Sequence, residues 1–324
     1  MKHFTLNTRI MLADLLEKKT SYRKISRVIQ KSISSISDEI ERNSIHNKYD
    51  PYEAHRIASL RELEKGKRTK LELNPQLMNN VIDKLKDDWS PEEIAGEFKS
   101  KTNGINIISH ETIYQLIYSP EGIKLKLWKH LRHRKKPKRV SFGTRKCRKI
   151  NIPNRVSINE RSNAINLRLE FGHWEGDLML FSKISLVLAV FVERMTRRVI
   201  VVLSQDKTAE EMKLALHELI GNAGQINVKS ITFDNGGENV CHQEIRELYD
   251  EENLKTYFCD PYKSWQKGTV ENTNKLLRQY FPRSINPELL TQDYVDEVAT
   301  KLNNRPRKCL NYITPKNQFA LCSV

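Results

Sequence analysis

The alternation of strand-like runs with helices in the second half of the chain is the feature that most limits its fold. Three closely spaced runs rich in Val, Leu, Ile and Phe come first: HWEGDLMLF, SLVLAVFVERMT and RRVIVVLSQ. The pattern then predicts a helix over 208–222, a strand VKSITFD, a helix over 240–252, a strand KTYFC and a last helix starting near 269. Strands that alternate with helices after an initial meander form a mixed sheet covered by helices. The sequence therefore predicts an α/β domain over residues 153–324.

Three carboxylates fall at particular positions of this pattern. Asp177 lies on the first predicted strand, Asp234 ends the fourth beside an Asn-Gly-Gly turn, and Glu271 stands in the first turn of the last helix. For Glu271 the simpler interpretation is compensation of the helix dipole, with Thr269 as the N-cap. Three carboxylates that the fold brings together would repel one another unless cations neutralise them. Oxygen ligands of this kind favour Mg²⁺ or Mn²⁺.

The first half of the chain carries the whole net positive charge. Residues 1–150 contain 33 basic and 18 acidic residues, whereas residues 151–324 contain 22 of each. Short amphipathic helices are predicted over 7–18, 21–30 and 34–42, a spacing typical of a helix-turn-helix domain within residues 1–50. Ser35 and Asp38 resemble a capping box for the third helix. The charge asymmetry predicts that the first half faces a polyanion.

The third of these helices is predicted to enter the major groove of DNA. Basic side chains surround it, and its polar face offers hydroxyl groups to bases and phosphates. The alternative is a small helical bundle whose polar residues are only solvated. The candidate DNA-binding residues of this domain are Lys24, Arg27, Lys31, Ser34, Ser35, Ser37 and Arg42.

Two segments connect this domain to the α/β domain. Residues 51–123 are predicted to be helical, with a possible second helix-turn-helix and a helix opened by Trp89-Ser90-Pro91. Residues 124–152 form a basic linker, in which the stretch from Lys124 to Lys149 has 13 Lys or Arg and no acid. Such runs are often only solvated tails, but the position of this one favours a segment that follows DNA phosphates. Its candidate DNA-binding residues are Arg134, Lys135, Lys136, Lys138 and Arg139.

Cysteine usage and hydropathy indicate the compartment. The five cysteines are scattered with no C-x-x-C pair, so neither a zinc site nor a disulfide framework is indicated. The chain opens with polar sequence, and no run approaches the roughly 18 apolar residues that a membrane span requires. We therefore expect a soluble protein of the reducing cytoplasm.

Three motifs in the second half resemble the catalytic domain of DDE transposases, specifically the IS30 (IS-thirty) family of bacterial insertion sequences. They are HWEGDLM, FDNGGEN followed by His242, and DPYKSWQKGTVENTNKLLRQYFP followed by LNNRPRKCLNYITP. The resemblance covers residues 153–319 densely. It extends more loosely to the first half through SISSISDEIERN and WSPEEIA.

The resemblance implies an RNase H-like fold in which Asp177, Asp234 and Glu271 form the catalytic, metal-binding triad. By family they hold two Mg²⁺ ions, for which Mn²⁺ can substitute, and Asp177 is shared between the ions. The implied activity is cleavage of double-stranded DNA at terminal inverted repeats, followed by transfer of the 3′-hydroxyl to target DNA. A homo-oligomer that holds two DNA ends is also implied. Lys267 and Arg278 in the third motif are further candidate DNA-binding residues.

Some residues near the triad differ from the family pattern, and others are weaker candidates for positioning DNA or the carboxylates. The residues that differ from the family pattern are Gly237, Asn239, Ser264, Val270 and Lys275. At these positions the efficiency of cleavage and the preference for end sequences can differ from those of the family. The weaker candidates are His173, Glu175, Asn235, Glu238, His242, Tyr262, Trp265 and Asn272, each of which also has an ordinary structural interpretation.

Two alternative functions stay open on the sequence alone. A non-catalytic DNA-binding regulator derived from a transposase would keep the binding domain while its core only dimerises. Folding does not require three converging carboxylates, which argues against this alternative. The second alternative is an integrase of the same fold that acts on different DNA ends. The two predicted helix-turn-helix segments favour a transposase over this integrase.

Overall fold

The computed structural model describes residues 4–46, 48–64, 69–132, 152–249, 254–261 and 263–323. The chain divides into two compact units, Met1–Pro75 and Gln76–Val324. The linker residues predicted to bind DNA, Arg134, Lys135, Lys136, Lys138 and Arg139, lie outside the described residues, as does Tyr262. Among the helices that are described, none is long and apolar enough to cross a membrane.

The described part of the first unit is helical. Its helices are α1 Leu6–Glu17, α2 Tyr22–Ile29, α3 Ile33–Asn43, α4 Pro51–Glu64 and α5 Lys70–Leu73. Apolar side chains at helical spacing on the first three helices meet in one core, which contains Leu12, Ile25, Ile29 and Ile36. Gln30 adopts a left-handed conformation that ends α2 and turns the chain towards α3. The three predicted helices are confirmed to within one or two residues at each end.

The start of α3 differs from the prediction. Ser32 is the N-cap, and its hydroxyl accepts a hydrogen bond from the Ser35 backbone N–H at 3.1 Å. Ser35 already lies inside the helix, so the predicted capping box of Ser35 with Asp38 is wrong. Ser32, three positions earlier, accepts the hydrogen bond from a backbone N–H group that has no partner within the helix.

Helix α4 belongs to the first unit. It packs on α1, where Arg9 Nη1 lies 2.9 Å from His55 Nδ1 and Arg9 Nε pairs with the buried Glu39 of α3 at 2.7 Å. At the other end of α4, Arg61 donates a hydrogen bond to the side-chain oxygen of Asn43. The predicted domain boundary at residue 50 therefore falls within this unit.

The second unit contains the sheet. Its strands are β1 His173–Leu180, β2 Val187–Glu193, β3 Val199–Ser204, β4 Ser230–Phe233 and β5 Lys255–Phe258. Its helices are α6 Pro75–Lys86, which begins at the boundary, α7 Pro91–Lys101, α8 His110–Tyr118, α9 Pro120–Lys124, α10 Asn163–Asn166, α11 Ala209–Ala223, α12 His242–Tyr249, α13 Gly268–Leu277, α14 Gln292–Asn303 and α15 Pro315–Cys322. The predicted order of three strands, helix, strand, helix, strand and helix is confirmed.

The five strands form one mixed sheet in the order β3-β2-β1-β4-β5. The first three pair antiparallel, whereas β4 runs parallel to both β1 and β5. Side chains alternate along β1, so Trp174 packs in the apolar core with α11, α12 and α15, and Met179 packs in the core with α13 and α14. Glu175 and Asp177 share the parity of Met179. This register directs both carboxylates towards the α13 side of the sheet.

Helix α7 is held to the C-terminal segment of the same unit. Lys308 pairs with Glu92 at 2.6 Å, and Arg307 lies 3.5 Å from Glu93. The helix predicted to open at Trp89-Ser90-Pro91 is confirmed, and Ser90 caps it in a capping box with Glu93. The predicted helical region 51–123 is therefore shared between the two units, since α4 packs in the first and α7 in the second.

Candidate active site

Asp177 and Asp234 meet at a buried lysine. Lys267 Nζ lies 2.8 Å from Asp177 Oδ1 and 3.4 Å from Asp234 Oδ2, and it donates to the Gly176 carbonyl oxygen at 3.0 Å. Asp177 lies on β1 and Asp234 directly follows β4, so the parallel pairing of these strands brings the two carboxylates together. Burial alone would lower the pKa of Lys267, but attraction by Asp234 and Asp177 raises it above its ordinary value.

Helix α13 turns the face that carries Glu271 towards the same place. Lys267 directly precedes this helix, and Asn274 on it donates Nδ2–H to Asp177 Oδ2 at 2.7 Å. Glu271 stands four residues after Lys267 and three before Asn274, so the three positions share one face. Both of its neighbours on that face contact Asp177.

The Glu271 carboxylate itself pairs with Lys275 Nζ at 2.8 Å, and both side chains are about half exposed. Among the described residues, no hydrogen bond or salt bridge joins Glu271 to Asp177 or Asp234, and there is no group of three His, Cys, Asp or Glu able to hold a metal ion. Lys267 thus bridges two members of the predicted triad, and the third lies on the facing helix. The assignment of all three as catalytic residues stays a prediction.

Asp234 is oriented by the turn that follows it. Its Oδ1 accepts hydrogen bonds from the Gly236 backbone N–H and from Asn239 Nδ2, both at 3.2 Å. Beside it, burial raises the pKa of Glu238, and the negative charge of Asp234 adds to this rise. Asn239 is one of the departures from the family pattern, and here it holds a candidate catalytic carboxylate in place.

The N-terminus of α13 is capped from strand β1. Glu175 Oε2 accepts hydrogen bonds from the backbone N–H groups of Thr269 and Val270, each at 3.0 Å, and Oε1 accepts from the Thr269 hydroxyl at 3.0 Å. Glu175 is completely buried and pairs with Arg194. The prediction that Thr269 is the N-cap is wrong, because the helix begins at Gly268 and a carboxylate distant in sequence serves its free N–H groups.

Comparisons with known proteins show which family the chain resembles. Residues 168–264 match the family model of the integrase core domain. The chain is 38% identical, over 97% of its length and 82% of the relative's, to transposase InsI of insertion sequence element IS30A from Escherichia coli K12. It is 35% identical, over 98% of its length and 95% of the relative's, to the transposase of insertion sequence element IS4351 from Bacteroides fragilis.

The chain belongs to the IS30 family of transposases. The family and the integrase-type, RNase H-like core predicted from the sequence motifs are therefore confirmed. Among solved structures, the transposase is similar to the catalytic core domain of HTLV-2 integrase in complex with magnesium, with 23% identity and a TM-score of 0.36. That similarity covers 45% of the transposase and 95% of the integrase chain.

The DNA-binding residues predicted in the first unit of the transposase lie on or near its surface. Lys24, Arg27, Ser34, Ser37 and Arg42 are exposed, whereas Lys31 and Ser35 are partly buried. The exposed serines occupy the face of α3 opposite its buried Ile36. Their contact with DNA stays a prediction.

The two DNA-binding candidates of the second unit have partners inside the transposase. Lys267 contacts the aspartates, so it would have to leave them to reach a phosphate. Arg278 donates hydrogen bonds to the carbonyl oxygens of Leu180 at 2.6 Å and Phe281 at 3.3 Å. The prediction for Lys267 therefore requires a change of partner when DNA binds, whereas Arg278 is partly exposed and has further N–H groups besides the two that donate here.

Several weaker candidates have structural roles. His242 is buried and lies 2.9 Å from the Thr256 hydroxyl and 3.0 Å from the Pro153 carbonyl oxygen, and burial lowers the pKa of its imidazole. His173 is buried beside the Ser230 hydroxyl at 2.7 Å. Trp265, in contrast, is 68% exposed, so it does not fill the core and is free to stack on a base.

Asn274 was not among the predicted site residues. The available signal was its spacing, because Lys267, which directly precedes α13, is followed by Glu271 and Asn274 at intervals of four and three residues. A polar side chain on the same face as a candidate carboxylate, one turn away, can reach the same site.

Proposed function

We propose that the transposase cleaves DNA at the ends of its insertion sequence and joins the freed 3′-hydroxyl to target DNA, using Asp177, Asp234 and Glu271. The observation that carries this proposal is the convergence of Asp177 and Asp234 on one cation position beneath the helix face that bears Glu271. The first unit would read the terminal inverted repeats through α3. Because both ends of the element must be joined to the target, we expect a homo-oligomer that holds two ends.

The donor set fits a divalent metal. The carboxylates of Asp177 and Asp234 already face a cation, the Lys267 ammonium, and carboxylate oxygens are the donors that Mg²⁺ and Mn²⁺ prefer. With Glu271 they would hold two ions. Bound there, the ions would supply activation of the attacking water or hydroxyl and neutralisation of charge on the leaving oxygen.

Other residues hold these carboxylates ready for the reaction. Asn274 orients Asp177, Asn239 orients Asp234, and Glu175 fixes the start of the helix that carries Glu271. Because these hydrogen bonds already orient the carboxylates within the folded chain, they reduce the reorganisation that the reaction requires. This preorganisation supports a catalytic role over simple dimerisation.

A labelled duplex that carries the DNA bordering the gene tests the proposal. The full chain is incubated with this duplex in Mg²⁺, Mn²⁺ or EDTA, and nicked and joined products are separated by length. We expect nicks that expose a 3′-hydroxyl at the end of the element, followed by joined products, in either metal and not in EDTA. Binding without cutting in both metals would overturn the proposal and leave a non-catalytic regulator.

Replacing Lys267 by methionine should make the stability of the transposase depend on metal. In EDTA we expect the free energy of unfolding to fall by about 1–2 kcal/mol, less than for a fully buried pair because Asp234 is half exposed. Added Mg²⁺ should then stabilise this variant more than wild type, since the ion no longer competes with the ammonium. Thermal unfolding across a Mg²⁺ titration measures both effects.

The matched control is Lys301→Met, which removes a lysine paired with Glu297 on the surface of α14. We expect its response to Mg²⁺ to equal that of wild type. If Lys267→Met and wild type also respond equally, the ammonium does not compete with a metal for the two aspartates.

A further inference from the structure

A cluster of arginines surrounds Glu175 behind the catalytic helix. Arg194 pairs with Glu175, and Arg161 donates to the Asn166 side-chain oxygen at 2.6–2.8 Å and to the Thr232 hydroxyl at 3.2 Å. Both arginines are buried. Burial and repulsion by Arg194 lower the pKa of Arg161 to about 10. Among the described residues, Glu175 is the one carboxylate that forms a salt bridge with an arginine of this cluster.

Two further arginines, Arg168 and Arg197, converge at the outer edge of the cluster. Arg168 Nη2 and Arg197 Nη1 each donate to the Thr269 hydroxyl oxygen at 3.2 Å. Neither forms a salt bridge in the described part of the chain. Arg168 is exposed and Arg197 is partly buried, so both can be reached from solvent. Two positive charges therefore meet at a hydroxyl group, which does not neutralise them.

Folding explains the backbone of the two arginines but not the meeting of their charges. The left-handed angles, φ 60° for Arg168 and 65° for Arg197, belong to the residue that follows the C-cap of α10 and to the turn between β2 and β3. Burial and repulsion by Arg197 and Arg194 lower the pKa of Arg168. Like-charge repulsion between the two guanidinium groups diminishes when an anion binds there.

The position of the pair beside the active site identifies the anion. Thr269, where the arginines meet, lies two residues before Glu271 on α13, and its hydroxyl donates to Glu175, which shares a strand face with Asp177. Paired guanidinium groups match the geometry and charge of a phosphate. We propose that Arg168 and Arg197 bind a backbone phosphate of the DNA next to the bond that is cut. This site rests on the proposed function and adds a contact that positions the substrate.

Methylphosphonate substitution tests the site. One backbone phosphate at a time is replaced by the neutral group in the labelled border duplex, near the end of the element. Binding and cutting by the full-length wild type should fall about tenfold at one or two of these positions. The double variant Arg168→Gln, Arg197→Gln should bind and cut the unmodified duplex about tenfold less well than wild type. Methylphosphonate at those positions should cause no further loss of binding or cutting by this variant.

Two other variants separate phosphate binding from support of α13. Thr269→Val removes the shared hydroxyl but keeps both guanidinium groups, so it should stay sensitive to methylphosphonate at the same positions. Lys213→Gln removes one positive charge from α11, on the opposite face of the sheet, and should behave as wild type. Since Arg168 is exposed, Arg168→Gln alone carries the test if the double variant does not fold.

The outcomes distinguish this inference from the proposed function. If wild type neither binds nor cuts the border duplex, both are overturned. If wild type cuts it, and the arginine variants keep its sensitivity at every substituted position, the phosphate site is wrong while the cleavage proposal stands.

Discussion

Replacing Asp234 by asparagine should lower the rate of metal-dependent cleavage by about 10³-fold or more, while DNA binding stays within about twofold of wild type. Asparagine has nearly the same shape, so its side-chain oxygen can still accept the hydrogen bonds from Gly236 and Asn239. The substitution removes the negative charge that faces Lys267 and would hold the metal. Gel shift and cleavage of the border duplex in Mg²⁺ separate the two effects.

The same chemical change at Asp296 serves as the control. Asp296 is exposed on α14, where it accepts a hydrogen bond from Gln292, and its replacement by asparagine should leave cleavage unchanged. Near-normal cleavage by Asp234→Asn would show that the Asp234 carboxylate is not catalytic. The Asp177 and Asp234 pair would then be a structural feature held together by Lys267.

Replacing Glu175 by alanine should lower the free energy of unfolding by about 3–5 kcal/mol. The change leaves the buried guanidinium of Arg194 without its carboxylate, and it leaves two backbone N–H groups at the start of α13 without an acceptor. Because α13 carries Glu271, cleavage should fall further than DNA binding. Urea unfolding followed by tryptophan fluorescence measures the stability, since the buried Trp174 lies next to Glu175 on β1.

A double variant separates the buried charge from the lost cap. Glu175→Gln with Arg194→Met keeps an acceptor for α13 and removes the unpaired guanidinium, so it should recover much of the stability. If the free energy of unfolding of Glu175→Ala lies within about 1 kcal/mol of the wild-type value, Glu175 does not stabilise the start of α13 as described.

Local sequence patterns determined the elements of this protein and the identity of its candidate carboxylates. Helices α1 to α3 were predicted to within one or two residues because each carries apolar residues at helical spacing between short breaks. The order of strands and helices in the sheet unit was predicted because the period of apolar residues changes there. Motifs around Asp177, Asp234 and Glu271 identified the family, since short segments with several fixed residues are specific even without a structure.

Only the tertiary structure decided which of these residues meet and what supports them. Lys267 was predicted as a DNA contact, but its ammonium contacts Asp177 and Asp234, which the parallel pairing of β1 with β4 brings together. The cap of α13 comes from Glu175, far away in the sequence, rather than from Thr269. Propensity and spacing act over a few residues, whereas these contacts depend on strand register and on which helix covers which face of the sheet. One pattern of apolar and polar residues along the chain is compatible with many strand registers. The residues that contact each carboxylate therefore became known only from the folded structure.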